Sequence, residues 1–184
     1  MEILSNPLEG FWILKSKIIE DSRGHFQESF HQEKFERISD QKIVFVQTNR
    51  VFSLKGALRG LHLQRPPHTQ SKLISVLSGE ILDVALDVRL HSCTYGKYII
   101  ERLSYKNQKQ LFLAKGFAHG FITLSDQAEV LYQCDAHYHC ESEDGICYDD
   151  PQLAINWEYP IKKIILSEKD RQKKAFKDFT PVSL

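Results

Sequence analysis

The chain has 184 residues, 42% of them hydrophobic and 11% aromatic, enough for one domain with a sizeable core and too apolar for disorder. Lys plus Arg and Asp plus Glu both number 24, so the formal net charge is zero and there is no basic excess to displace counterions from nucleic acid. No apolar run approaches the roughly 18 residues of a membrane span. The start, Met1 to Pro7, has neither the basic head nor the apolar middle of a secretory signal. Four cysteines (Cys93, Cys134, Cys140, Cys147) follow no Cys-x-x-Cys or framework spacing, and the cytosol is the expected compartment.

In chain order, a strand is expected over Gly10 to Lys17, then a turn at Asp21-Ser-Arg23-Gly24 and a helix over His31 to Ile38. The strand Ile43 to Phe52 places Gln47 and Asn49 on one face, where they can read a base or a sugar. Gly56-Ala-Leu-Arg59-Gly-Leu-His62-Leu-Gln64 and the run from Gln70-Ser-Lys72 read as two successive strands, with Ile74 and Val76 on the side of Lys72. Ser78-Gly79-Glu80 is expected to close a tight hairpin onto Ile81 to Val88. In that arm Leu82, Val84, Leu86 and Val88 share one face, and Asp83, Ala85 and Asp87 the other. Further strands are expected over Tyr98 to Leu103, Gln110 to Leu113, Phe121 to Leu124 and Ala128 to Cys134, and a second helix over Glu168 to Lys177. Ser167 with Asp170 resembles a capping box at its start. Short alternating strands punctuated by Gly, Asn and Asp make this a mainly β chain: a β-sandwich or jelly-roll barrel with short peripheral helices, one domain over residues 1–184.

Several polar residues point to chemistry. His62 titrates near neutrality and is a natural general base. Lys72, on a face with Ile74 and Val76, suits stabilising a developing oxyanion such as an enolate. Tyr132 can return a proton from another direction, and Asp170 can hold the His62 tautomer. Arg23, Arg59 and Lys72 together can grip a diphosphate. Each residue also has a plainer reading: His62 at a strand rim, Tyr132 a core aromatic, Asp170 a helix-start acid, Lys72 a surface lysine, Arg23 paired with Asp21 in a turn. Regular alternation moreover points Arg59 and His62 to opposite faces unless a bulge or strong twist intervenes. On the residues alone the reading stops at a binding pocket.

A metal site built from His62, His68 and His119 must also be weighed. Metal-binding cupin barrels use a His-x-His with a following Glu, but this chain reads His62-Leu-Gln64, and only Gly116-x-x-His119 is intact. No metal is expected there. His137, His139 and Cys140 read as a polar strand or loop rather than a metal cluster.

At these residues the chain resembles the dTDP-4-dehydrorhamnose 3,5-epimerase family, metal-independent enzymes on a cupin-type jelly roll. The resemblance runs through Asp21-Ser-Arg-Gly-His-Phe-Gln-Glu28, Gln47-Thr-Asn49, Lys55 to Gln64, Gln70-Ser-Lys72, Gly116-Phe-Ala-His-Gly-Phe121, Glu129 to Tyr132, Asp149-Asp-Pro151 and Leu166-Ser-Glu-Lys-Asp170. It implies a dTDP-4-keto-6-deoxyhexose substrate, dTDP-4-dehydro-6-deoxy-D-glucose, and the product dTDP-4-dehydro-L-rhamnose, with no cofactor. It further implies that His62 is the base with Asp170 as its orienting partner, Lys72 the enolate stabiliser and Tyr132 the proton donor. Arg23, Phe26, Glu28, Gln47, Asn49, Arg59, His119, Glu143 and Lys169 would contact the nucleotide-sugar, and Tyr138 would stack on thymine. Homodimers with exchanged strands are implied as well. The chain departs from the family pattern at Leu63 and at Ala114-Lys115, neither a reacting group. A single-centre epimerase keeps the same four reacting side chains, and a metal-dependent cupin enzyme or a non-catalytic sugar-nucleotide binder are the other readings.

Overall fold

The computed structural model describes residues 1–40 and 42–184. Two antiparallel sheets face each other. The larger runs in the order β1 (Glu2–Leu8), β2 (Phe11–Lys15), β10 (Lys109–Leu113), β7 (Lys72–Ser78), β12 (Gln127–Cys134), β5 (Gln47–Leu54). The smaller runs β13 (Glu143–Gly145), β6 (Leu58–Gln64), β11 (Phe117–Thr123), β8 (Glu80–Asp87), β9 (Tyr98–Ser104). A separate two-stranded arm, β3 (Ile18–Asp21) with β4 (Gly24–Gln27), pairs with neither sheet. This is the expected jelly roll. Among the described residues no helix is long and apolar enough to cross a membrane.

Alternation explains the layers. Ile74, Val76, Leu111 and Val130 of the large sheet meet Ile81, Ala85, Leu103 and Phe121 of the small one in the space between the sheets. The opposite residues of β8 (Leu82, Val84 and Leu86) pack outward under Trp157, Phe176 and Phe179 of the C-terminal segment, so this central strand is covered on both faces. On the outer face of the large sheet, Trp12, Leu14, Leu73 and Phe112 receive Phe35 from helix α1 (Gln32–Ser39). Phe35 is fully buried, with its ring 5.2 Å from Phe112 and steeply inclined to it. Burying such a side chain is worth about 1.5–3 kcal/mol, enough to dock a helix of only two turns.

Several expectations need correction. Lys72 to Val88 is not a hairpin. Its two arms belong to different sheets, and Gly79 (φ 76) turns the chain from one sheet to the other; a Cβ there would stand 2.1 Å from the Gln127 carbonyl oxygen. The strand expected from Ile43 begins only at Gln47, where pairing with Cys134 of β12 starts, and continues to Leu54. The helix expected over Glu168 to Lys177 is a single turn, α2 (Glu168–Arg171). Beyond it Cys147 N donates to the Lys174 carbonyl and Phe176 N to Asp150 Oδ2, at 2.8 and 2.7 Å, drawing the backbone into extended pairing while Phe176 enters the core. Strand β1, which was not expected, carries Pro7 on a sheet edge, where a missing N–H costs nothing. β11 starts at Phe117 and so takes the Gly-Phe-Ala-His119 motif into the small sheet.

Candidate active site

The site begins with a flaw in one ladder. β6 and β11 pair His62 with His119 and Arg59 with Phe121, so three steps along β6 match two along β11. The extra residue is a bulge at Gly60-Leu61. Gly60 has φ 139, and a Cβ on it would come within 2.4 Å of Gly120 Cα, so two glycines lie back to back where the strands would otherwise clash. The bulge answers the alternation problem: Arg59 and His62 both line one cavity of about 400 Å³ between the sheets.

The small sheet brings Arg59, His62 and His119 to this cavity, and the large sheet brings Gln47, Asn49, Lys72 and Tyr132. Tyr138, Glu143, Lys169 and Asp170 complete it from the segments that close its mouth. These eleven residues selected from sequence are thus gathered in one place. His62 and Tyr132 reach it from opposing sheets.

His62 Nε2 makes a very short contact with Asp170 Oδ1. The Asp170 amide is capped by Ser167 Oγ at 3.2 Å and the Asp170 side chain turns to the histidine, so only half of the expected capping box forms. Burial pushes the Asp170 carboxyl upward, but the His62 bond, the Ser167 bond and the nearby Lys173 charge together hold it below the ordinary carboxylate value. Burial likewise drives the Lys72 ammonium downward, with Cys134, Asp83 and Glu143 pulling weakly the other way. Lys72 is partly buried and lines the cavity. Burial raises the Tyr132 phenol, keeping it protonated as a donor requires.

Further polar groups surround these four. Arg59 Nε donates to Ser53 Oγ at 3.0 Å, which fixes its fork at the cavity wall. Gln47 donates to Asn49 Oδ1 at 3.0 Å and accepts from the Tyr138 amide at 2.9 Å, linking strand and rim. The Tyr138 hydroxyl donates to Glu143 Oε2 at 2.5 Å, and Lys169 and Lys173 each approach a Glu143 oxygen at 3.4 Å. Burial opposes ionisation of Glu143, but Tyr138 and the two lysines outweigh it and depress its carboxyl to about 2, while Tyr138 is pushed up to about 12.

Three selected residues do not reach this cavity within their own chain. Arg23 is 87% exposed and pairs with Asp21 at 2.6 Å, Phe26 is 66% exposed on the arm, and Glu28 pairs with Lys34 at 2.6 Å. The three weighed imidazoles do not converge either. His62 is committed to Asp170, His119 Nε2 bonds Asp83 Oδ2 at 2.8 Å, and His68 stacks on His139 with ring centroids 3.5 Å apart. Among the described residues, His68, His139 and Glu141 have ligand atoms within 4.8 Å of one another. The stacked rings, only 16° from parallel, aim their in-plane lone pairs side by side rather than at one point. His137 is exposed, and Cys140 Sγ donates to the Glu141 carboxylate at 3.3 Å.

Two residues escaped the sequence reading. Asp83 shares a face of β8 with Asp87, and both are fully buried. Asp87 is saturated by Arg89, Ser92 and Thr94 and serves a turn. Asp83 instead holds His119, and its Oδ1 has no hydrogen-bond partner among the described residues. A carboxylate alternating with Leu and Val on a core strand was the available signal. Gln64, buried two residues beyond His62 on β6, accepts from the His139 amide at 2.9 Å and braces the rim.

The comparisons with known proteins can be set against this geometry. A family profile described as dTDP-4-dehydrorhamnose 3,5-epimerase matches residues 5–178. The dTDP-4-dehydrorhamnose 3,5-epimerase of Escherichia coli is 43% identical over 172 residues, covering 94% of this chain and 92% of that protein. The crystal structure of a dTDP-6-deoxy-D-glucose-3,5-epimerase from Legionella pneumophila in complex with dTDP-4-keto-L-rhamnose superposes with a TM-score of 0.93 at 44% identity, covering 97% of this chain and 94% of that one. A 3′-monoepimerase from Streptomyces bikiniensis in complex with dTDP-quinovose shares the fold at TM-score 0.86 and 31% identity, covering 95% of this chain and 87% of that one.

Proposed function

We propose that this chain, which belongs to the dTDP-4-dehydrorhamnose 3,5-epimerase family, inverts C3 and C5 of dTDP-4-dehydro-6-deoxy-D-glucose to give dTDP-4-dehydro-L-rhamnose. The observation that carries the mechanism is the entry of His62 and Tyr132 into one cavity from opposing sheets. Inversion removes a proton from one face of a carbon and returns one to the other, so it needs two proton-handling groups on opposite sides.

The C4 ketone acidifies the hydrogens on C3 and C5. His62, oriented by Asp170, takes a proton, and the electron pair moves into an enolate whose oxygen is stabilised by Lys72. Tyr132 then protonates the carbon from the other face. Each inversion leaves an imidazolium and a phenolate, which re-equilibrate through water before the second centre reacts. Arg59 is placed to hold the diphosphate, and Gln47, Asn49 and Tyr138 to hold the base.

Incubation with the 4-keto-6-deoxyglucose nucleotide in heavy water tests the reading. Deuterium is expected at C3 and C5, with loss of exchange at both in His62→Ala. Near-normal exchange in that variant would rule out His62 as the base. The similar monoepimerase supports one second reading, inversion at C3 or C5 alone, and NMR of the product separates the two.

The whole chain is read as one epimerase domain, working in the cytoplasm as a homodimer. Supporting the dimer, β5 is a sheet edge with Phe52 and Leu54 about half exposed, and the arm bearing Arg23 and Phe26 pairs with neither sheet and leaves both side chains exposed. In the pairing we favour, Arg23, Phe26 and Glu28 complete the nucleotide site of the partner subunit.

A further inference from the structure

Lys173 follows the single turn of α2 and lines no part of the cavity. Its side chain is only 13% exposed, and Nζ lies 3.4 Å from Glu143 Oε1. The stem crosses Gly145, where a Cβ would meet Lys173 Cδ and Cε at 3.1 and 3.2 Å. Gly145 is the residue directly opposite His62 in the β13–β6 ladder. A Cβ at 145 would first meet the Leu61 carbonyl oxygen at 2.2 Å, so the neighbouring strand requires the glycine, and the space it leaves is where the lysine stem lies. A lysine buried this far loses hydration and rotamer freedom, and one ion contact at 3.4 Å returns little of that. Its charge acts on both Glu143 and Asp170.

We propose that Lys173 is a positioning residue of the epimerase site, a fixed and screened cation behind the His62–Asp170 pair whose charge sets the pH range over which that pair works. The inference rests on His62 being the base. Other charged or titratable groups around the pair are Arg59 on its own strand, Lys72 from β7, His119 from β11 backed by Asp83 from β8, Tyr132 from β12, Glu143 from β13, and Lys169 and Arg171 from α2. Arg59, Lys72 and Lys169 line the cavity and so sit where substrate would compete for them. Lys173 is screened from substrate, and its influence persists through turnover. Removing a positive charge beside an imidazole makes it easier to protonate, which withdraws the base at neutral and lower pH.

Lys173→Met keeps the stem and removes the charge, and Lys173→Arg keeps the charge. In Lys173→Met the acid limb of kcat/KM is expected to move to higher pH by about half a unit or more, with the high-pH plateau near wild type. Lys173→Arg is expected to keep the wild-type limb. An NMR titration of the His62 ring in the substrate-free protein should shift upward in the same way, which needs no turnover. An unmoved limb and an unmoved His62 titration in folded Lys173→Met would overturn the proposal, as would a loss of rate that is uniform across pH. An arginine variant shifted as far as the methionine one would also overturn it, because packing rather than charge would then be responsible. If the wild-type protein fails to process the 4-keto sugar nucleotide, the proposed reaction falls while the His62 titration still decides what Lys173 does.

Discussion

Two histidine–carboxylate pairs sit side by side across the β6–β11 ladder, and they differ in what surrounds them. The His62 side chain is 33% exposed, opening into the cavity, and its carboxylate comes from a helical turn 108 residues away. The His119 side chain is 7% exposed and Asp83 not at all, both on strands of one sheet. The same two residue types thus form one pair open to a bound molecule, as the proposed base requires, and one enclosed in the wall. Access, more than the identity of the pair, separates a base from a support.

Exchanging the carboxylates tests that contrast most severely. Asp170→Asn should lower kcat on the order of 10²-fold or more with the fold intact, because the His62 tautomer is no longer held. Asp83→Asn should instead cost about 1–3 kcal/mol of stability, read from denaturant unfolding, with kcat changed only a few-fold. If Asp83→Asn were the one to abolish turnover, the contrast would be broken. His119→Ala comes next: KM is expected to rise about tenfold while kcat stays within a few-fold, the mark of lost binding rather than lost chemistry.

The exposed arm sharpens the picture from outside. Arg23→Ala should raise KM several-fold, roughly a loss of 1 kcal/mol in binding, without moving the melting temperature. Mixed and re-equilibrated with inactive His62→Ala, it should give about a quarter of all sites the wild-type KM, since half the dimers are then mixed and each holds one whole site. Absence of that fraction would confine the arm to its own subunit.

The smallest effect concerns the rim. Glu143 is held near 2, below its ordinary 4.5, so its share of stability is complete above the ordinary value and is lost as pH falls from there towards 2. Glu143→Gln should flatten that part of the acid-unfolding curve, measured by equilibrium denaturation at fixed pH values.

The sheet pattern was legible where alternation had a clean core side, as in β8 and β12, and most of the residues that line the cavity were legible because their motifs are dense. Connectivity was less so. A glycine with φ above zero serves a hairpin or a sheet-to-sheet corner equally well, and nothing local to Ser78-Gly79-Glu80 distinguishes them. The second helix failed for a similar reason: Lys174 and Phe176 are drawn out by Cys147 and Asp150, partners about 27 residues earlier in the chain.

By itself, the order of residues determined the β class, the inward faces of the strands and which side chains are chemically able to move protons, because these depend on period and functional group. Only the folded chain decided that a bulge between facing glycines turns Arg59 and His62 into the same cavity. It alone brought Asp170 to His62, placed Asp83 behind His119 and laid Lys173 across Gly145. Those relations join residues far apart in sequence, and their geometry depends on strand register and close packing, which no local pattern encodes.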